Sequence, residues 1–184
     1  ILYVTFFLSY IFLGHLLSNI YLQSQIVPIW LPAGIALVGC YLWWWRFFPA
    51  VFIASYIFSF SVIPDFTFAQ VFTELGVLNA LIASGALLQA IVGAALLKFW
   101  LGNPLHQNND KNTVYFLLVI VFGTNLISSN IGVFSLSLFN VDYGYDLYSY
   151  GMNVLYWWFS DSLGVLFTTP FILSFLYFNK EKKA

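Results

Sequence analysis

VPIWLPAGIALVGCYLWWWRFF, residues 27–48, holds an apolar run between two unlike ends. At one end Pro28 and Pro32 bracket Trp30. At the other, Trp43, Trp44 and Trp45 run into Arg46. Proline lacks an N–H and has a fixed φ, so it suits the first turn of a helix and damages a helix interior. Pro28 therefore precedes a helix and Pro32 falls in its first turn. Gly34 and Ala36 follow, small enough for another helix to approach closely. Indoles beside an arginine suit the zone between hydrocarbon and water. The stretch reads as a short membrane helix, Trp30 to Trp45, opening at one interface and closing at the other.

The rest of the chain agrees. Of its 184 residues 61% are hydrophobic and 7% charged, with a mean hydropathy of +0.88. Soluble domains carry about 25% charged residues, so these cannot cover a water-exposed surface. The apolar runs are long and do not alternate, which excludes a membrane β-barrel. A net charge of −1 gives no footprint for nucleic acid. The one cysteine, Cys40, excludes an internal disulfide and reads as a small apolar residue. The sequence opens at Ile1 within an apolar run, with no basic leader or cleavage pattern. Residues 1–184 are expected to be a single membrane domain cut from a longer protein.

A crossing needs about 20 apolar residues. The fold class expected is an all-α, polytopic bundle of six spans: residues 1–21, 30–45, 49–63, 67–99, 113–139 and 152–178. The fourth is too long for one upright crossing. It either tilts, helped by Gly76, Gly85 and Gly93, or divides into a surface helix and a span. With six spans, Arg46, Lys98, Lys111, Lys180, Lys182 and Lys183 all fall on one side, while Asp65, Asp142 and Asp146 fall on the other. The positive-inside rule makes the first side the cytoplasm and places both termini there. Tyr143, Tyr145, Tyr148 and Tyr150 read as an interfacial belt at the outer side.

Three stretches in register resemble the first subtype of the membrane-associated sensor (MASE) family. The first is "VPIWLPAGIAL" followed by "RFFPAVFIASY", a W-x-P-x-G-I-A pattern and then an aromatic-Pro pair opening the next helix. The second is "GALLQAIVGAALLKFW" (85–100) with the loop "NPLHQNNDKN" (103–112). The third is "WWFSDSLGVLFTTPFIL" (157–173), an acidic residue, Leu-Gly and then Thr-Pro. The resemblance covers residues 8–175. It implies a dimeric sensory domain in a bacterial inner membrane, feeding a diguanylate cyclase, phosphodiesterase or histidine kinase in cis. This sequence departs from the family pattern at Gln89, where a glutamate is common. It also stops before two further spans that the family usually carries.

Polar groups inside spans are costly and are functional candidates by default. Asp161 in the sixth span ranks first. A pocket open to the outer half is expected between Trp30, Pro32, Gly34, Trp157 and Asp161, with Gln89 and Asn125 as further candidates. His15 and Asn19 share a face of the first helix, being four apart. Glu74 and Asn79 lie in the fourth span, although Glu74 also fits the outer interface. Asn125, Ser128, Ser129, Asn130 and Gln89 also read as hydrogen-bonding glue between helices. Pro170 predicts a kink, with Thr168 and Thr169 satisfying the freed carbonyls. His106, the other histidine, lies in a cytoplasmic loop, so one subunit cannot build a bis-histidine haem within the membrane. No metal-ligand spacing, nucleophile motif or phosphate loop is present, so no catalytic residue, metal or cofactor is expected. The expected partners are the bilayer, a second copy of the chain, the output domain and a small ligand or membrane subunit. The alternative is a substrate-capturing subunit of a vitamin-type transporter. A cyclase or kinase domain after Ala184 would favour the sensor.

Overall fold

The structure, a computed structural model, describes residues 2–18, 27–63, 65–101, 114–139 and 146–181. Helix α1 is Leu2–Ser18, α2 is Leu31–Trp43 and α3 is Phe48–Ser61. Helix α4 is Glu74–Leu101, α5 is Phe116–Leu138 and α6 is Leu147–Glu181. The described residues contain no strand. Four segments are long and apolar enough to cross a membrane: Leu31–Ser61, Glu74–Trp100, Phe116–Leu138 and Leu147–Leu176. Helix α1 is apolar but shorter.

The first of those segments folds back on itself. The rings of Trp30 and Phe58 lie 4.9 Å apart. A continuous helix would separate them by about 42 Å, at 1.5 Å per residue. The reversal is a 3-10 turn, Trp44–Phe47, opened by a backbone break at its first residue, Trp44, whose φ is +52°. A bulky residue rarely adopts that conformation, at a cost of about 1–3 kcal/mol. Its neighbours hold it there. The Trp44 ring packs on Phe48, and the Lys98 ammonium sits 4.4 Å from the Trp44 ring centre. The tryptophan run is thus a corner as well as an interfacial belt.

Contacts along α1 give its direction. Tyr3 donates to the Arg46 carbonyl at 3.2 Å and Phe6 meets Phe47 edge-on, whereas His15 lies beside Phe58 and Ser61. Helix α1 is therefore parallel to α3 and antiparallel to α2. Leu37 faces Gly93 and Trp44 faces Lys98, so α4 runs with α2. Gly85 meets Ser128 and Ile131 while Gly93 meets Ile120 and Thr124, so α5 runs against α4. Gly132 lies under Trp157 and Asn125 bonds Ser162, so α6 runs against α5. Successive helices alternate in direction throughout. Arg46 and Lys98 share one end of the bundle with Tyr3; Asp65, Glu74 and Asp146 stand at the other.

Residues 67–99 divide, as the surface-helix alternative requires. A capping box of Thr67 and Gln70 opens a short 3-10 helix, Phe68–Phe72, which has no buried residue, and α4 begins after Thr73. Helix α6 starts at an Asp146 cap, whose Oδ2 accepts the Ser149 N–H at 3.1 Å and whose carboxyl is held below its usual range by the Ser149 bonds. Helix α6 continues through Pro170. Thr168 and Thr169 do not satisfy freed carbonyls, since neither hydroxyl has a hydrogen-bond partner.

Candidate functional site

The stretch from Trp30 to Gly34 docks on the one that carries Asp161. The Trp30 N–H donates to the Ser160 carbonyl at 3.0 Å, a backbone bond between two helices distant in sequence. Beneath it, a Cβ at Gly164 would overlap the Trp30 carbonyl, and a Cβ at Gly34 would come within 2.7 Å of the Gly164 carbonyl. Pro32 is buried in the first turn of α2, where it leaves no helix donor unpaired. The prolines and glycines of W-L-P-A-G and S-D-S-L-G are two halves of one joint, in which backbone meets backbone. Gly34→Leu should therefore disrupt the joint and cut the yield of folded protein in a detergent gel-filtration assay. Pro32→Ala should leave that yield near wild type.

A polar ladder fastens α6 to α5 and α5 to α4. Gln89 Nε2 donates to Asn125 Oδ1, and Asn125 Nδ2 donates to the Val121 carbonyl and to Ser162 Oγ. Ser162 Oγ donates to the same Val121 carbonyl at 3.0 Å. Trp158 Nε1 donates to the neighbouring Phe122 carbonyl at 2.6 Å. Both carbonyls belong to a π-helical stretch, Phe116–Gly123, which turns α-helical at Asn125. One turn further on, Ser128 Oγ donates to Asp161 Oδ2. Asn125 is fully buried and Asp161 is 3% exposed.

Next to the ladder lies a cavity of about 330 Å³. All six helices reach it: Tyr10 from α1, Ala33 and Ala36 from α2, Ser55 and Phe58 from α3, Asn79 and Gln89 from α4, Ser128 from α5, and Trp157 and Asp161 from α6. Trp30 lines it from the α2 start. The Tyr10 hydroxyl pairs with Ser55 and Trp30 and stands in the field of Asp161. Asp161 Oδ1 and Asn79 Nδ2 are buried without a hydrogen-bond partner.

Of the residues singled out from sequence, the structure brings Trp30, Gln89, Asn79, Trp157 and Asp161 to one cavity. It does not bring Pro32, Gly34 or Asn125 to the lining. Pro32 is buried in the first turn of α2, Gly34 is used up in the α2–α6 joint and Asn125 in the ladder. Glu74 is exposed in the first turn of α4, where an acid meets the positive end of the helix dipole. Ser61 Oγ lies 3.0 Å from His15 Nε2, and His15 does not line the cavity. Asn19 lies outside the described residues. Ser129 and Asn130 bond the Leu126 carbonyl of their own helix, so neither bond joins two helices. Sequence reasoning missed Tyr10, Ser55 and Asn153 in the lining. The cost of a polar atom inside a span applies to all three, but it does not set them apart from the other hydroxyls and amides of the spans.

Among the described residues no cluster of three or more His, Cys, Asp or Glu side chains is placed to hold a metal. Comparison with known proteins finds a family model, described as MASE1, that matches residues 1–183. No curated protein and no solved structure matches the chain.

Proposed function

The chain belongs to the MASE1 family of membrane sensory domains, and we propose that it binds a cue in the central cavity and passes a change of helix arrangement to a cytoplasmic signalling domain in cis. The observation that carries this reading is a cavity touched by all six helices and lined by Asp161 and Asn79, each of which has a buried polar atom without a partner. A ligand shifts a conformational equilibrium only by its unequal affinity for two arrangements. A guest in contact with every helix has the most ways to be unequal. The domain itself performs no catalysis in this reading. Its setting is a bacterial inner membrane, as a homodimer, joined to a cyclase, phosphodiesterase or kinase.

The proposal includes six crossings with both chain ends in the cytoplasm. Alternating helix directions and the segregation of Arg46 and Lys98 from Asp65, Glu74 and Asp146 support it. The short α2–α3 hairpin would thin the bilayer locally or draw interfacial side chains inward. In a Cys40→Ala background, an impermeant thiol reagent added outside should label Asp65→Cys and Asp146→Cys and spare Arg46→Cys and His106→Cys. Labelling at residue 106 overturns the topology.

Signalling is tested by the output of the full-length receptor. Asp161→Leu should shift the response to the cue by about tenfold or more, the effect of about 1.4 kcal/mol of lost differential binding. Asp161→Asn, which keeps an acceptor for Ser128, should retain part of the response. Identical responses from wild type and both variants would remove Asp161 from the sensing site.

A further inference from the structure

The cavity has a chemical bias. Asp161 Oδ2 is held by Ser128 and the Trp157 indole stands beside the carboxyl, but Oδ1 is buried without a hydrogen-bond partner. A carboxylate oxygen left bare at this depth is costly, and a bound donor relieves that cost. Among the described residues no Lys, Arg or His lines the cavity, so none of them supplies a cation for that relief. Tyr10, Trp30, Phe58 and Trp157 line the same space, and aromatic faces are electronegative and attract cations. One acid, four aromatic rings and no base favour a positive guest and disfavour an anion.

The rest of the lining limits its size and shape. Ala33, Ala36, Ala86 and Val133 leave a smooth apolar wall. The volume of about 330 Å³ is roughly twice the ~150 Å³ of an apolar cavity that takes up benzene, room for one ring with a short side chain. The second orphan, Asn79 Nδ2, is a donor and calls for an acceptor on the guest.

We propose that the cavity binds a small organic ammonium ion with an aryl or alkyl body. Its N–H donates to Asp161 Oδ1, the body lies against the aromatic and alanine walls, and a hydroxyl or carbonyl oxygen accepts from Asn79 Nδ2. This deepens the sensory reading and rests on the same cavity, naming the class of cue.

The test is binding to the chain in lipid nanodiscs, read by tryptophan fluorescence and calorimetry. The probes are 2-phenylethylammonium, 2-phenylethanol and phenylacetate, which share a body and differ in head group. The ammonium should bind at least about tenfold tighter than the alcohol, a difference of about 1.4 kcal/mol, and phenylacetate should bind weakest. Asp161→Asn should bring the ammonium and the alcohol to equal affinity. Adding a hydroxyl, as in 2-amino-1-phenylethanol, should tighten binding in wild type and not in Asn79→Ala. The proposal is overturned by equal affinities in wild type, by preference for phenylacetate, or by no ammonium binding at millimolar concentration. The wild-type ranking decides even where a variant does not fold. Binding with no effect on receptor output would remove the sensory role and keep the site. Output that depends on Asp161 without ammonium preference would do the reverse.

Discussion

Gly164→Ala should be among the most damaging single-methyl additions possible in this chain. A Cβ at residue 164 would overlap the carbonyl of Trp30 and lie 3.1 Å from the Leu31 nitrogen. These are backbone atoms, so no rotamer change makes room. The Trp30 N–H is tied to the Ser160 carbonyl at 3.0 Å, four residues before Gly164 on the same helix. The methyl must push apart the two backbones that this bond holds together. Overpacking a well-filled interior costs about 1–3 kcal/mol when side chains can yield. Here the upper end, about 3 kcal/mol, is expected, together with loss of the α2–α6 joint. Gly151→Ala is the control on the same helix, because a Cβ there meets nothing within 4 Å. It should be neutral or slightly stabilising, as alanine is the better helix former. Thermal unfolding in detergent, followed by circular dichroism, separates the two. A Gly164→Ala protein that melts with wild type would mean that the helices do not touch at this point.

That joint was half legible in the sequence. Two motifs stood out by their prolines and glycines, and small residues in spans imply close approach. Composition does not say which surfaces approach, and the two motifs are separated by about 130 positions. The expected pocket drew Trp30, Pro32, Gly34, Trp157 and Asp161 together because all belong to those motifs. The structure splits that set by size: the small residues close the backbone contact and the large ones reach past it into the cavity. Tyr10 and Ser55 lie outside both motifs, so only the general cost of a polar atom in a span marks them. The corner at Trp44 was hidden because a positive φ is expected at glycine, not within three tryptophans. The π-helical stretch Phe116–Gly123 was hidden for a deeper reason. Its residues, FLLVIVFG, are apolar on every side, so no periodicity distinguishes a π from an α turn. Its consequence, two carbonyls that accept side-chain bonds from Ser162 and Trp158, appears only once α6 is in place.

Asn125→Leu should break the ladder at its most connected point. Leucine has the same branched four-atom skeleton as asparagine with bulkier ends, so the site stays filled while three hydrogen bonds go. Val121 retains the Ser162 hydroxyl as a donor at 3.0 Å, so its carbonyl is not orphaned. Gln89 is different: it is buried, and its Nε2 would lose the Asn125 acceptor. An unsatisfied buried donor costs about 1–3 kcal/mol, more than the net gain from one hydrogen bond. Gln89→Leu alone leaves Asn125 Oδ1 bare and should cost a similar amount. The double variant removes donor and acceptor together and replaces them with apolar groups, which is close to neutral. Its cost should therefore fall below the sum of the two single costs by about 1 kcal/mol or more. Equilibrium unfolding of the three variants in bicelles measures this. Additive costs would mean that Gln89 and Asn125 do not depend on each other. A coupled pair with undiminished receptor output would assign the ladder to holding the bundle together, and would leave signalling to the orphaned groups beside it, Asp161 and Asn79.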